Sequence, residues 1–434
     1  MRSWSDPKLK FAFICLFLLV SIGIPMRAES EGKHSDSVSV REPEAPPKGT
    51  GEILLAIPST ILKTPVYLLK GITWGIVQGA HLPIVGKIMR FDNPMAPFYL
   101  VGGYGSNKGF SGGTGFGFYN NFVPDDKLKF EWYYSTYKYQ SYRLKYRGGN
   151  FFGNGDTFNF RAEYKRRPHE YFYGMGNNSD VDDETCYTLE RSSITGGYQF
   201  PVSGSMVFGL HLGYHAINIF DGEDDDSEGR IPVITEFFNL DPSIFRSTET
   251  AQFGFEYMYD TRQTLGRITE GVYGQATVDY YCGVGRENKP EFLAIGAEAG
   301  WYVNLFSNRI LAIRGIVQRM RNLRDESSLP FAYLSSLGGR DDLRGFRGNR
   351  LVDKDAALVT VEYRYPLWTV IDAFVFIDEG RVFSSFEDEL TFKNWHESYG
   401  VGLRIFARDE VIVRTQLAIG DEAPRIYFEL GATW

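Results

Sequence analysis

The sequence is poor in cysteine, in cationic charge and in long apolar runs, and each shortage removes a class of protein. Three cysteines occur among 434 residues. Cys15 sits in an N-terminal apolar stretch with no small residues placed after it for lipidation, so a lipoprotein reading is rejected. Cys186 and Cys282 fall several strands apart in the order derived below and are expected as isolated thiols, not a disulfide. Lys plus Arg number 46 against 54 Asp plus Glu, a formal net charge of −8. That balance speaks against nucleic acid as a partner, because phosphate backbones are bound through a basic footprint. Beyond the N-terminal stretch there is no run of about eighteen apolar residues, so no helix is expected to cross a membrane. Barrel strands carry a much weaker hydropathy signal, and this absence leaves them open.

Aromatic residues, by contrast, reach 16%, with 47 Gly and 27 Tyr, while mean hydropathy stays at −0.25. Strands with one face toward lipid and the other toward water have this mixture. The N-terminus reads as a signal peptide over residues 1–30. Arg2, Lys8 and Lys10 form its basic region, Phe11 to Ile24 its apolar region, and Ala28 and Ser30 the small residues at the cleavage site. Residues 31–50, polar and rich in proline, read as a flexible linker. Residues 51–94 read as an amphipathic helical segment. Thr64 is placed as a cap with Pro65 at the first helical position, and Val66, Leu68, Leu69, Ile72, Trp74, Ile76 and Val77 supply apolar bulk. Two readings of it stand: a helix docked on the rest of the protein, or a periplasmic helix lying at the membrane interface. Pro58, Pro65 and Pro83 keep it from being one long helix.

From residue 95 to 434 the dominant period is two. Ile426, Phe428, Leu430, Ala432 and Trp434 share one face of the final strand, while Arg425, Tyr427 and Glu429 share the other. Leu128, Phe130, Trp132 and Tyr134 alternate in the same way with Lys129, Glu131 and Tyr133. A face carrying Arg, Glu and Gln cannot be a sandwich core, because buried unpaired charge is too costly. It can line a water-filled lumen. About sixteen such segments are predicted, an even number as single-chain bacterial barrels have. They span 96–104, 110–122, 126–136, 139–148, 156–165, 185–199, 204–218 and 248–260. The second half runs 270–282, 291–305, 309–321, 356–366, 371–382, 396–407, 410–420 and 424–434. The fold class is therefore an all-β membrane protein, a transmembrane antiparallel barrel of about sixteen strands preceded by a short amphipathic helical segment. Short turns alternate with longer connections at 166–184, 219–247, 322–355 and 384–395, which all fall at one end, expected to be extracellular.

The loop 322–355 concentrates Arg340, Arg344, Arg347 and Arg350 around Gly338-Gly339 and Leu343-Arg344-Gly345-Phe346. Register places Glu362 in the lumen with Thr360 and Arg364, and Asp378 on the face of Phe374 and Phe376. If the loop folds inward, the planar fork of Arg344 can bond both carboxylates. Gly345 would allow a tight turn and Phe346 would anchor on an aromatic surface.

These residues resemble the BamA/TamA superfamily of outer-membrane barrels, of the bacterial surface antigen type. The resemblance lies in the Leu343–Phe346 loop, in Glu362 four residues before Pro366, and in Phe376-Ile377-Asp378-Glu379-Gly380. Phe172 to Asn177, Tyr259-Asp260-Thr261-Arg262 and Gly400-Val401-Gly402-Leu403-Arg404 agree with it. It implies a sixteen-stranded barrel whose inward loop is latched by Arg344, Gly345, Phe346, Glu362 and Asp378. It also implies a C-terminal insertion signal in Phe428, Leu430 and Trp434. The location implied is the outer membrane of a Gram-negative bacterium. The function implied is outer-membrane protein assembly or insertion, or membrane remodelling. Implied partners are outer-membrane lipids, outer-membrane protein clients, and the barrel assembly machinery during the chain's own insertion. The residues ahead of the barrel are too few for one POTRA domain, which points to a shortened, POTRA-less subgroup and leaves a passive pore or structural barrel as the alternative.

Other signals are weaker. Gly109-Phe110-Ser111-Gly112-Gly113 matches the hydrolase elbow pattern G-x-S-x-G, but sits in a glycine-rich strand with no helix after it. A lipid-modifying enzyme is thus the remote alternative, and no catalytic residue is assigned. His211 and His215, four residues apart on a strand, are about 13 Å apart and cannot share a metal. Glu223-Asp224-Asp225-Asp226 reads as a solvated loop. No metal or cofactor is expected.

Overall fold

In the computed structural model, residues 98–430 are described except 106–108, 121, 224–228, 263–266, 285–288, 325–328, 392 and 408–409. The signal peptide expected at 1–30, the linker at 31–50, the helical segment at 51–94, the side chain of Leu430 and the terminal Trp434 lie outside the described residues.

The chain forms a main sheet of sixteen antiparallel strands in sequential order. The first seven are β1 (Phe98–Gly105), β2 (Gly109–Tyr119), β3 (Lys127–Ser135), β4 (Gln140–Gly149), β5 (Thr157–Phe172), β6 (Thr185–Ser203) and β7 (Met206–Asp221). A short helix α1 (Ile231–Phe237) and a 3-10 turn (Pro242–Phe245) precede β8 (Thr248–Asp260), β9 (Gly271–Gly283), β10 (Glu291–Phe306) and β11 (Arg309–Asn322). The next connection holds a separate two-stranded sheet, β12 (Ser335–Leu337) and β13 (Leu351–Asp353). The main sheet then resumes with β14 (Asp355–Trp368), β15 (Ile371–Phe383), β16 (His396–Ala407), β17 (Glu410–Ile419) and β18 (Arg425–Leu430). Among the described residues β1 and β18 meet at just two register pairs, Gly103–Glu429 and Tyr104–Phe428. No helix of the described residues is long and apolar enough to cross a membrane.

The period-two pattern explains this sheet. Ile194, Leu212, Phe253, Val278, Trp301, Val361 and Ile377 all lie on the outer face and are exposed, whereas their strand neighbours turn inward. Outward apolar and inward polar residues suit a strand wall between lipid and a lumen. Turn chemistry fixes register at one end. Ser307 and Asn308 both have positive φ, 47° and 58°, as a two-residue hairpin turn of the primed type requires.

Two strands overrun their predicted limits by several residues through a proline. β5 continues past 165 to Phe172, through Pro168, where the ladder with β6 shifts register between Arg167 and Glu170. A proline inside a run argues against a strand unless a bulge accommodates it, and here one does. β6 likewise extends to Ser203 through Pro201. The longer connections also hold structure of their own. Phe172, Tyr187, Ile234, Phe245, Phe331 and Val352 form one buried cluster at the long-loop end. Phe245 and Phe331 stack there at 4.5 Å between ring centroids. Among the described residues Cys186 and Cys282 are not joined in a disulfide.

Candidate functional site

The wall of β14–β18 and the loop between β12 and β13 together build an enclosed polar site. Its floor is aromatic. Phe374 and Phe376 alternate along β15 and are buried on its inner face. Their register partners on β16 are Gly402 and Gly400. A Cβ at Gly402 would stand 2.2 Å from Phe374 Cζ, and one at Gly400 would stand 2.5 Å from Phe376 Cζ. The glycines leave the space in which the two rings lie against the wall.

Arg344 rests on that floor, its Cζ 3.4 Å from the centroid of Phe376. Its Nε donates to Asp378 Oδ2 at 2.8 Å and its Nη2 to Oδ1 at 2.7 Å, a bidentate fork. The Arg344 backbone N–H also reaches Asp378 Oδ2, at 3.3 Å. Nη1 donates to Glu362 Oε2 at 3.3 Å and to Gln416 Oε1 at 3.5 Å. Arg344 is 4% exposed, Glu362 5% and Asp378 0%. Burial acts to lower the Arg344 pKa, but its bonds to Asp378 and the charge of Glu362 outweigh that and raise it. The guanidinium stays charged.

Further bonds fix the two carboxylates. Thr360 Oγ1 donates to Asp378 Oδ1 at 2.9 Å, and Ser398 Oγ to Oδ2 at 3.4 Å. Glu362 Oε1 accepts from Arg364 Nε at 2.8 Å and Arg404 Nη2 at 2.6 Å. One glutamate therefore serves three arginines. Asp378 is held by groups from the loop, β14 and β16.

The backbone beside Arg344 needs its glycine. Gly345 has φ +92°, and a Cβ there would lie 2.9 Å from Gly420 N and 3.1 Å from Ser398 Cβ. Phe346 follows into a buried apolar cluster with Leu337, Leu343, Leu351, Ala356, Leu358 and Val382. Its carbonyl accepts from Gly339 N–H at 3.1 Å and Tyr427 Oη at 3.3 Å.

The structure thus brings together Arg344, Gly345, Phe346, Glu362 and Asp378. The remaining loop arginines find acids that the sequence pattern did not assign to them. Arg340 pairs with Glu429 of β18 at 3.0 Å, Arg347 with Glu184 at 2.6 Å, and Arg350 with Glu422. Glu429 falls on the polar face of the last strand, so that partner was within reach of the pattern. Glu184 and Glu422 lie in connections, where no period marks them. Thr360 was placed in the lumen without a role. Arg404 stood in the Gly400–Arg404 stretch without a role, and Ser398 and Gln416 carried no motif.

Other predicted residues lie apart from this site. Phe428, 38% exposed, is on the outer face of β18. His211 Nε2 lies 2.5 Å from Asp279 Oδ1, while His215 Nε2 lies 2.6 Å from Gln252 Oε1. Ser111 is in β2, paired with Ser135 of β3.

Comparison with known proteins agrees with the architecture. A family model described as the Omp85 superfamily domain matches residues 125–434. Among solved structures the chain is similar to BamA from Haemophilus ducreyi lacking POTRA domains 1-3, with 17% identity and a TM-score of 0.57, over 78% of this chain and 70% of that one. It is also similar to CdiB from Escherichia coli, with 13% identity and a TM-score of 0.51, over 78% of this chain and 63% of that one. The chain thus spans less than two thirds of the CdiB chain. At such identities the likeness is one of fold. No curated protein matches.

Proposed function

The chain belongs to the Omp85 superfamily, and from that membership we propose that it is a non-enzymatic outer-membrane barrel acting in the insertion or assembly of outer-membrane proteins or in membrane remodelling. In this reading residues 1–30 direct export and the final strand, through Phe428, Leu430 and Trp434, serves as the signal for the barrel's own insertion by the assembly machinery. The working partners are outer-membrane lipids and client chains. The loop 322–355 is a latch, held in the lumen by Arg344.

The observation that carries the latch is the bidentate Arg344–Asp378 pair, buried and tied also to Glu362. Withdrawing the loop would leave Asp378 without a cation in an enclosed site, and removing one partner of a buried pair is strongly destabilising. A loop so held stays in the lumen and narrows it. Arg344→Ala should then raise single-channel conductance above that of the wild type. Large, steady channels from the wild type would sink the plugged-barrel reading. Depletion of the protein followed by outer-membrane proteomics tests the assembly role. An unchanged protein profile would favour a passive structural barrel instead.

A further inference from the structure

Two carboxylates on the inner face of β14 and β15 are served unequally. Glu362 accepts from Arg364 and Arg404 through one oxygen and from Arg344 through the other. Asp372 is 5% exposed, and among the described residues its one ion pair is with Arg267. That arginine comes from the connection between β8 and β9 and brings Nη2 to 3.0 Å from Asp372 Oδ1. The same nitrogen donates instead to the carbonyls of Trp368 at 3.2 Å and Thr369 at 2.8 Å. Asp372 Oδ1 is thus buried without a hydrogen bond among the described residues. A buried carboxylate held by charge alone is costly to keep.

The group able to satisfy it stands directly across the ladder. Arg404 of β16 is the register partner of Asp372, which puts their Cβ atoms about 5 Å apart. Arg404 turns away from this neighbour. Its Cζ lies 4.7 Å from the ring centroid of Phe374, and its Nη2 ends 2.6 Å from Glu362 on β14. It leaves the poorly served carboxylate for the crowded one. Arg414, its register partner on β17, repels it toward the two carboxylates. Arg267 explains the choice. While that charge stands at Asp372, Arg404 can join Glu362. Without it, Asp372 would be a buried carboxylate lacking a cation. Arg404 could then answer, since Glu362 would keep Arg344 and Arg364.

We propose that Arg404 is a two-position switch, coupling the β8–β9 connection at the short-turn end to the latch at Arg344. With Arg267 seated, Arg404 shares Glu362 with Arg344 and repels it across that carboxylate. With Arg267 withdrawn, Arg404 turns to Asp372, and Arg344 gains the larger share of Glu362. Seating of the connection loosens the latch, and its release tightens it. By linkage, opening of the latch favours seating to the same degree. The Arg267 side chain is 22% exposed and borders the β14–β15 turn, so an occupant of the short-turn mouth can reach it. The switch rests on the latch reading given above.

The test is a set of double-mutant cycles on the full chain purified in detergent, read by thermal melting. Arg267→Ala and Arg344→Ala together should lower the melting temperature by more than the sum of the single drops. One Arg404 cannot serve both Asp372 and the place left at Glu362. In an Arg404→Gln barrel, or an Asp372→Asn barrel, the same pair should be additive. If Arg267 merely tethers its connection, the pair is additive in every background, and the proposal is overturned. Coupling that survives Arg404→Gln overturns it too. Single-channel recording gives a readout that does not depend on Arg267→Ala folding. Arg404→Gln leaves Glu362 to Arg344 and Arg364, so full-size openings should be at least threefold rarer than in the wild type. Openings as frequent as in the wild type, or more so, overturn the switch. If Arg344→Ala leaves conductance at the wild-type level, the latch reading falls and the switch falls with it. If conductance rises while melting stays additive, the switch alone falls.

Discussion

Arg344 and Arg161 occupy the same lumen and meet opposite fates. Arg344 is buried, lies on Phe376, and is bonded to Asp378, Glu362 and Gln416. Arg161 is exposed and stands opposite Lys145. On the β14–β18 wall charge is neutralised within the fold and holds a loop in place. At Arg161 on β5 it is left facing water. The difference separates charge that fixes a structure from charge left to the solvent, and sequence composition alone would not tell them apart.

The sharpest way to break this comparison is to truncate both arginines. Arg344→Ala should cost about 3–5 kcal/mol, the usual loss when one partner of a buried pair is removed. Arg161→Ala should change stability by less than about 0.5 kcal/mol, as exposed substitutions do. Thermal or denaturant unfolding of the purified barrel measures both. Equal losses would erase the distinction between the two walls.

Glycines give the next contrast. Gly345→Ala forces a side chain onto φ +92° and into Gly420, and should cost about 1–3 kcal/mol. A Cβ added at Gly112 of β2 would meet nothing within 4 Å, so Gly112→Ala should be neutral or stabilising by up to about 1 kcal/mol. The same melting experiment orders them, and a reversal would place the strain elsewhere.

A smaller effect involves Asp342, next to Arg344's neighbour Leu343. Its carboxyl is pushed up to about 6 by burial, against the pull of Arg314 and with Asp341, Glu298 and Asp378 adding to the rise. A raised carboxyl pKa favours the folded state below the ordinary value of about 3.9, and this contribution is lost as pH rises through about 6. Stability should therefore decline between these values in the wild type. Asp342→Asn should flatten that decline and melt higher above it; a pH profile identical to wild type would refute the assignment. The smallest effect is expected from Arg161→Gln at low salt, a gain of a few tenths of a kcal/mol that fades as salt screens the Lys145 contact, roughly the worth of one cross-strand pair.

Much of the fold was legible because alternation is written into each strand. Phe130, Trp132 and Tyr134 face outward, and Glu362 and Asp378 inward, as period two requires. The pattern failed at Pro168 and Pro201, where the strand continues through a residue that normally ends one. It was silent on the cluster of Phe172, Ile234, Phe245 and Phe331, whose members come from segments far apart in sequence. The Arg344 site was legible in part, since the fork needed carboxylates and the register supplied two. Its support was not. Nothing local marks Ser398 as a donor to Asp378, or Gly400 and Gly402 as the space for two phenylalanine rings. Those roles exist only once β15 and β16 are aligned.

The bonds of Asp378 carry a consequence for assembly order. One carboxylate receives the Arg344 side chain and backbone from the loop, Thr360 from β14 and Ser398 from β16, while Arg340 reaches on to Glu429 in β18. A loop threaded in last would have to pass Arg344 into a site already walled by four strands. The economical route is the reverse: the loop seats first, and the C-terminal strands register themselves against it. On that route the loop would act as a template for β14 to β18 as they come into register.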